Sequence, residues 1–222
     1  MPETFGLSSS TVSRRYVKAT ARKLAQFQER SLASHDVVAL FLDGKSFADE
    51  QIIIALGVTL DGQKIPLGFV QAATENERVC RAFLAELVDR GLQYDAGLLV
   101  VIDGAKGLYN AVTSVFSGHA CVQRCQYHKR KNVESYLPKS EQARIRRKME
   151  AAYAQPTYEA AKKALMALKP ELKLMNQSAL SSLEEGMEET LTLHRLDLMS
   201  TLSTSFRTTN CIENVNSLLQ QL

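Results

Sequence analysis

Two aspartates stand out in the sequence because each follows a short apolar run and is itself followed by glycine. Asp43 comes after residues 37–42, and Asp103 comes after residues 98–102. Such runs predict buried strands, and side chains at strand ends can converge at the rim of a sheet. Converging carboxylates repel unless a cation such as Mg²⁺ joins them, and metal-held carboxylates can catalyse phosphodiester displacement. Asp-Gly is also a common turn dipeptide, which is the simpler interpretation of either aspartate alone.

A third acid, Glu213, lies in the last predicted helix, which begins near Thr209. Apolar residues repeat along one face of that helix, and Glu213 falls on the opposite face beside other polar side chains. This polar face is either exposed to solvent or one wall of an active site. Periodicity alone does not separate the two interpretations.

Cys125 and His128 form a Cys-x-x-His pair. The pair is half of a zinc site, but no second Cys/His pair follows at a suitable spacing, so no zinc is expected. A cysteine nucleophile with a histidine base is conceivable, although residues one turn apart rarely have that geometry. We interpret the pair as structural, packing the end of the last strand near the acids.

The periodicity of the apolar residues predicts the elements that position these groups. Three hairpin-linked strands are followed by alternating helices and strands, then by a helical stretch at 129–199 and a loop-like segment, Thr201–Phe206. This order predicts an α/β fold of the RNase H-like kind, a mixed sheet flanked by helices. The predicted strands are 37–42, 51–60, 64–72, 98–102 and 120–124, and the helices before residue 129 are 7–27, 75–91 and 105–116.

The composition is that of an ordinary globular protein. Of the 222 residues, 45% are hydrophobic and 23% are charged. No apolar run reaches the length of a membrane span, and the first residues do not resemble a secretory signal. The four cysteines are too sparse for a disulfide framework. These features predict a cytoplasmic protein without a membrane partner.

Basic residues are concentrated in two blocks. The segment from Met1 to His35 contains six basic and two acidic residues. The segment from Arg124 to Lys148 contains nine basic and two acidic residues. Such blocks suit a polyanion, although basic helical faces are often merely solvated. The first block holds either the recognition helix of a helix-turn-helix or a basic linker helix. The candidate DNA-binding residues are Arg14, Arg15, Lys18, Lys129, Arg130, Lys131 and Arg207.

Five segments together carry a resemblance to a known family. Their sequences, and the order in which they follow one another along the chain, resemble those of the Mutator-type transposases, including their bacterial insertion-sequence relatives. The resemblance extends over nearly the whole chain from about residue 7. The segments are Leu42–Gly44, Val101–Leu108, Cys125–Asn132, Leu183–Gly186 and Arg207–Asn214.

The resemblance implies an RNase H-like core in which Asp43, Asp103 and Glu213 are both the catalytic triad and the ligands of Mg²⁺ or Mn²⁺. It also implies an all-helical domain inserted before the glutamate, which fits the 110 positions between Asp103 and Glu213. The implied partners are terminal inverted repeat DNA, target DNA and at least one further copy of the chain. The implied location is the bacterial cytoplasm, in association with the nucleoid.

The predicted organisation has four parts. Residues 1–35 are a basic helical remnant of a helix-turn-helix region, and 36–133 are the first part of the catalytic core. Residues 134–200 are the all-helical insertion, and 201–222 contain the glutamate helix. Family members usually carry a fuller N-terminal region and continue past the glutamate helix, so the chain is interpreted as a truncated copy or a fragment.

The predicted function is metal-dependent DNA cleavage and strand transfer at the terminal inverted repeats of an insertion sequence. Two alternatives stay open. One is a truncated, catalytically inactive DNA-binding remnant, and the other is a non-mobile RNase H-like nuclease.

Overall fold

Five strands form one mixed sheet in the computed structural model, which describes residues 8–47, 50–72, 76–210 and 212. They are β1 (Val37–Phe47), β2 (Glu50–Thr59), β3 (Lys64–Ala72), β4 (Leu98–Ile102) and β5 (Ala120–Arg124). Their order across the sheet is β3-β2-β1-β4-β5. The pairs β1-β2 and β2-β3 are antiparallel, whereas β1-β4 and β4-β5 are parallel. This is the predicted α/β arrangement of the RNase H-like kind.

Helices precede the sheet, cover it and follow it along the chain. From Gln126 to Phe206 the described residues contain helices and turns and no strand. None of the described helices is both long and apolar enough to cross a membrane. The helices are α1 (Ser9–Glu29), α2 (Glu77–Asp89), α3 (Lys106–Phe116), α4 (Gln126–Ser135), α5 (Lys139–Tyr153), α6 (Tyr158–Met175), α7 (Gln177–Glu184), α8 (Thr192–Arg195) and α9 (Met199–Phe206).

Both faces of β1 and β4 are covered, which explains why their sequences are continuously apolar rather than alternating. Leu40 and Leu42 face a core that includes side chains of α2 and α3. Phe41 points to the opposite face, as the two-residue period of a strand requires, and packs there with Val101 and Ile212. The strands that position the two acids are therefore packed on both faces.

A second hydrophobic core lies within the helical stretch. Buried side chains of α4, α5, α6 and α7 contact one another in a cluster separate from the two cores of the sheet. Ile145, Met149 and Leu165 are each 0% exposed within it. The helical stretch thus has a core of its own.

Two sequence predictions differ from the structure. β1 was expected to end at Leu42, but it continues to Phe47 because pairing with β2 extends as far as Phe47 opposite Glu50. The polar segment Thr201–Phe206 was expected to be a loop, and that prediction is wrong because α9 occupies it. The ring of Phe206 packs against Phe41 with the ring centroids 5.2 Å apart, so a tertiary contact stabilises this helix.

Candidate active site

Asp43 and Asp103 occupy neighbouring positions at the C-terminal edge of the parallel strands. The β1-β4 pairing ends with Leu42 opposite Ile102, so the next residue on each chain segment is an aspartate. Adjacent strands lie about 4.8 Å apart, which brings the two residues close together. Asp43 is 7% exposed inside β1, and Asp103 is half-buried directly after β4. The expected convergence of the two acids rests on this register.

The turn that carries Asp103 is held by local hydrogen bonds. The Oδ1 atom of Asp103 accepts a hydrogen bond from the Ala105 amide at 3.0 Å, and this bond restricts the carboxylate. Gly104 has φ +118°, a conformation that side chains of L-residues disfavour. The Cys125 amide donates to the Ile102 carbonyl at 2.7 Å, which ties the end of β4 to the start of α4.

Two further residues lie at the same edge. His128 is in the first turn of α4, and Cys125 comes immediately before that helix. Hydrogen bonding to the Cys125 side chain raises the pKa of His128 to about 9, against the opposing effect of burial. The negative charges of Cys125, Asp43 and Asp103 contribute to the same value of about 9. Burial would raise the pKa of the Cys125 thiol, but the bond and charge of His128 outweigh it and lower that pKa. The imidazolium of His128 therefore places a positive charge beside the two aspartates and the Cys125 side chain.

His128 should stay protonated well above the ordinary range of a histidine in the metal-free protein. We expect an NMR titration of its ring protons to give a pKa near 9, with the imidazolium form below that pH. Asp103→Asn should lower this pKa because it removes one of the charges that favour the imidazolium. A pKa near 6.5 that does not respond to Asp103→Asn would contradict the described placement of His128 beside the acids.

The segment before Glu213 approaches the same edge. The Gln126 amide donates to the Arg207 carbonyl at 2.9 Å, and the Thr209 hydroxyl lies 3.9 Å from the Cys125 sulfur. Ile212 is 0% exposed in the cluster beneath β1 and β4. Glu213 itself, with most of the predicted last helix, lies outside the described residues.

The donor set at this edge suits a hard divalent cation. Mg²⁺ and Mn²⁺ prefer carboxylate oxygens together with water and phosphate oxygens, and Asp43 and Asp103 supply two carboxylates. Within the described ranges there is no group of three His, Cys, Asp or Glu residues arranged to hold a metal ion. The described residues thus supply two carboxylates to this edge, and Glu213 lies outside the described ranges.

Several candidate DNA-binding residues lie near the same end of α4. Arg130 and Arg207 line one open recess of about 440 Å³ together with Tyr127 and Asn210. Arg130 is also held by ion pairs to Glu134 and Glu150. The recess thus joins the basic block of α4 to the segment that precedes Glu213.

Two further groups of candidates are exposed. The ammonium of Lys131 lies 5.7 Å from the centre of the Tyr127 ring. Arg14, Arg15 and Lys18 lie on α1, which has no buried residue and whose C-terminal end packs on β3 through a hydrogen bond from Gln28 to the Phe69 carbonyl. Arg130 and Lys131 thus both lie near the Tyr127 ring, Arg130 and Arg207 share the recess, and the α1 residues lie on a helix whose end packs on β3.

Lys129 differs from the other candidates because its side chain is buried. It is 4% exposed, and its ammonium donates to the carbonyls of Ser182 and Glu185. Burial lowers the pKa of Lys129, and the nearby charge of Arg124 lowers it as well. The ammonium faces the helical stretch rather than solvent, so we omit Lys129 from the DNA-contacting set.

Arg124, the last residue of β5, is close to the acids and is not among the residues that the sequence singles out. It is 4% exposed, and its Nη1 atom donates to the Gly104 carbonyl at 3.1 Å. A cation at the end of an apolar strand is an unusual residue to bury. In the sequence, the signal is an arginine at the end of a predicted strand that follows the strand before Asp103.

The fold and the carboxylate pair define an α/β protein of the RNase H-like kind with two acids at the edge of its parallel strands. A family model described as "Transposase, Mutator family" matches residues 3–221. The chain belongs to this Mutator family of transposases.

Curated relatives carry names in keeping with that family. The chain is 34% identical over 206 residues to the transposase for insertion sequence element IS905 of Lactococcus lactis, covering 90% of the chain and 51% of the relative. It is 28% identical to the IS6120 transposase of Mycolicibacterium smegmatis, covering 94% of the chain and 65% of the relative. The IS256 transposase of Staphylococcus aureus is 25% identical, with 95% and 56% covered. The chain thus spans between half and two thirds of the length of these relatives.

Proposed function

We propose that this chain is the catalytic region of a DNA transposase that cleaves phosphodiester bonds and transfers strands at the ends of an insertion sequence. The observation that carries the proposal is the register of β1 and β4, which places Asp43 and Asp103 side by side in a chain of the Mutator family. The names of the relatives support the same activity, since each is a transposase for an insertion sequence element.

The proposed roles follow from the positions of the side chains. Asp43 and Asp103 hold the divalent cation, and Glu213 completes the set from the segment that Ile212 anchors beneath the sheet. When bound, Mg²⁺ or Mn²⁺ would stabilise the charge that develops on the phosphate and lower the pKa of the attacking hydroxyl. In the metal-free protein, the imidazolium of His128 interacts with the negative charges of the two aspartates and of the Cys125 side chain.

The proposed organisation keeps the four predicted parts. The core contains the sheet with α2 and α3, and the helices that follow form an insertion that separates Asp103 from Glu213. The separate hydrophobic core of α4 to α7 supports this division. The predicted boundary at residue 134 falls inside α4 (Gln126–Ser135), so we propose that α4 joins the two parts.

We further propose that Arg130, Lys131 and Arg207 contact the phosphates of the DNA near the cleaved bond. Lys131→Ala and Arg207→Ala should each weaken binding to a duplex and lower the salt dependence of the affinity. Each phosphate contact contributes about 0.9 to the slope of log affinity against log salt, so each variant should lose about that much. Fluorescence anisotropy at several salt concentrations would measure the slope.

The matched control for these variants is Lys163→Ala, which removes an exposed lysine from α6. We expect this variant to keep the slope of the unmodified protein. Equal slopes for Arg207→Ala, Lys131→Ala and the control would show that the DNA does not run along this surface.

The proposed activity is tested by incubating the purified protein with a duplex that carries the terminal inverted repeat. We expect strand nicking at the repeat end with Mg²⁺ or Mn²⁺ and none with a chelator. Binding without nicking would favour the inactive remnant. Nicking without preference for the repeat end, and without joining of the freed 3′-hydroxyl to a second duplex, would favour the non-mobile nuclease.

A further inference from the structure

We infer that Arg124 is a positioning residue that fixes the Asp103–Gly104 turn and makes the geometry of that turn depend on the docked helical stretch. The inference deepens the proposed function and rests on it, because Asp103 is one of the proposed metal ligands. It concerns the junction between β5, the turn after β4 and the residues that follow α7. Neither the family match nor the names of the relatives assign a role to this junction.

The first observation is the contact between Arg124 and the turn. Arg124 pairs with Ile102 in the β4-β5 ladder, so its backbone lies beside the residue that precedes Asp103. Its Nη1 atom donates to the Gly104 carbonyl at 3.1 Å, and its guanidinium lies 5.1 Å from the centre of the Tyr109 ring. One side chain thus joins the end of β5, the turn after Asp103 and α3.

The second observation is that the helical stretch leaves space for this guanidinium. Gly186 has φ +62°, and a Cβ atom added there would lie 2.5 Å from both Cζ and Nε of Arg124. No side chain can occupy that position while Arg124 keeps its place. Lys129 donates to Ser182 and Glu185 next to it, which fixes the end of α7 against α4.

The third observation is that stability alone does not explain a buried arginine here. Its Nε atom is buried and has no hydrogen-bond partner among the described residues, which is unfavourable for folding. Its ion-pair partner, the Glu185 side chain, is 59% exposed, and pairs of that kind contribute little. The contacts to the Gly104 carbonyl and to the Tyr109 ring are therefore the features that distinguish Arg124 from an apolar residue of similar length.

These contacts make Arg124 a link between two parts of the chain. If the residues around Gly186 move away, the guanidinium loses the surface that holds it over the turn. The bond to Gly104 then weakens, and the Asp103 carboxylate, which is oriented through the Ala105 amide of the same turn, becomes less restricted. Docking of the helical stretch would in this way prepare the metal site.

The test uses Arg124→Met, which keeps the length of the side chain and removes its donors. In the metal-free protein, we expect the Ala105 amide to exchange its hydrogen about tenfold faster or more, since its protection comes from the Asp103 bond. Mn²⁺ binding measured by calorimetry should weaken by about 10–100-fold, the usual effect of losing an outer contact to a metal ligand. Arg124→Lys, which can still reach a carbonyl, should restore part of both.

A matched control is Thr192→Val at the same interface. The Thr192 hydroxyl donates to the Val122 carbonyl, two residues before Arg124 on β5, and does not contact the turn. This variant should lower the melting temperature by a few degrees, because it removes a buried hydrogen bond between the same two parts of the chain. Exchange at Ala105 and Mn²⁺ affinity should stay those of the unmodified protein.

A double-variant cycle tests the part played by Gly186. Gly186→Ala should displace the guanidinium and reproduce the faster exchange at Ala105. Adding Arg124→Met should recover part of the lost melting temperature, because the collision is gone, but should not recover the Mn²⁺ affinity. Additive losses in melting temperature would contradict a direct contact between the two residues.

The outcomes separate this inference from the proposed function. Unchanged exchange at Ala105 and unchanged Mn²⁺ affinity in folded Arg124→Met would overturn the inference, whether or not the protein cleaves DNA. Faster exchange and weaker Mn²⁺ binding, in a protein that never cleaves DNA, would support Arg124 as a positioning residue while refuting the proposed activity.

Discussion

Replacing Asp43 or Asp103 by asparagine is expected to lower the rate of Mg²⁺-dependent DNA cleavage by at least about 10³-fold. Removing a single neutral donor from an active site already costs about 10²–10³-fold, and here the substitution removes a charge that holds the cation. Asparagine keeps the shape of the side chain. The buried strands that carry both residues are unchanged, so the fold should survive.

Asp89→Asn is the control for this prediction. Asp89 is exposed at the end of α2 and has no place in the proposed site. The rate of nicking of a repeat-end duplex should be unchanged in this variant, and the circular dichroism spectra of all three variants should match. Near-normal cleavage by either Asp43→Asn or Asp103→Asn would remove the basis for the proposed site.

Glu213→Gln is expected to lower cleavage by about 10²–10³-fold, because the third carboxylate completes the ligand set of the cation. The support for this position comes from the residues before it. Thr209 lies against Cys125, and Ile212 is buried beneath the two strands that carry the aspartates. The segment therefore approaches the edge where Asp43 and Asp103 lie.

The measurement is again the nicking of a repeat-end duplex with Mg²⁺. Glu159→Gln is the matched control, since Glu159 is exposed in the first turn of α6. The control should cleave at the normal rate. If Glu213→Gln also cleaves normally while Asp103→Asn does not, the site has two of its three proposed members and the third must be sought elsewhere in the chain.

The sheet could be predicted from the sequence because its strands are short apolar runs separated by clear turns. The positions of Asp43 and Asp103 could be predicted for the same reason. The continuation of β1 to Phe47 could not, because it depends on pairing with β2 rather than on the composition of residues 43–47. The helix at Met199–Phe206 depends on the contact of Phe206 with Phe41, which is distant in sequence.

Side-chain roles were harder to predict than elements. The basic run after Cys125 suggested DNA contacts for Lys129, Arg130 and Lys131 alike. In α4 these side chains point in different directions because the helix rotates by about 100° per residue. Lys129 lies on the buried face with Val133, whereas Lys131 is exposed. Three adjacent charges can thus have different environments, which helical spacing shows only once the packed face is known.

The contacts of Arg124 could not be predicted from the sequence. Its contacts join Gly104, Tyr109 and Gly186, which are 20, 15 and 62 positions away in the chain. No local pattern connects these residues. The meeting of the three follows from the parallel pairing of β4 with β5 and from the docking of the residues after α7.

The central proposal is that Asp103, with Asp43, binds the cation that drives DNA cleavage, and a change of metal preference tests it most directly. A thiolate binds Mg²⁺ poorly and the softer Mn²⁺ better. Cleavage of a repeat-end duplex by Asp103→Cys should therefore be lost with Mg²⁺ and restored at least in part with Mn²⁺, whereas the unmodified protein and Asp89→Cys should cleave with both ions. Cleavage by Asp103→Cys with Mg²⁺ at the rate of the unmodified protein would contradict metal binding by this residue.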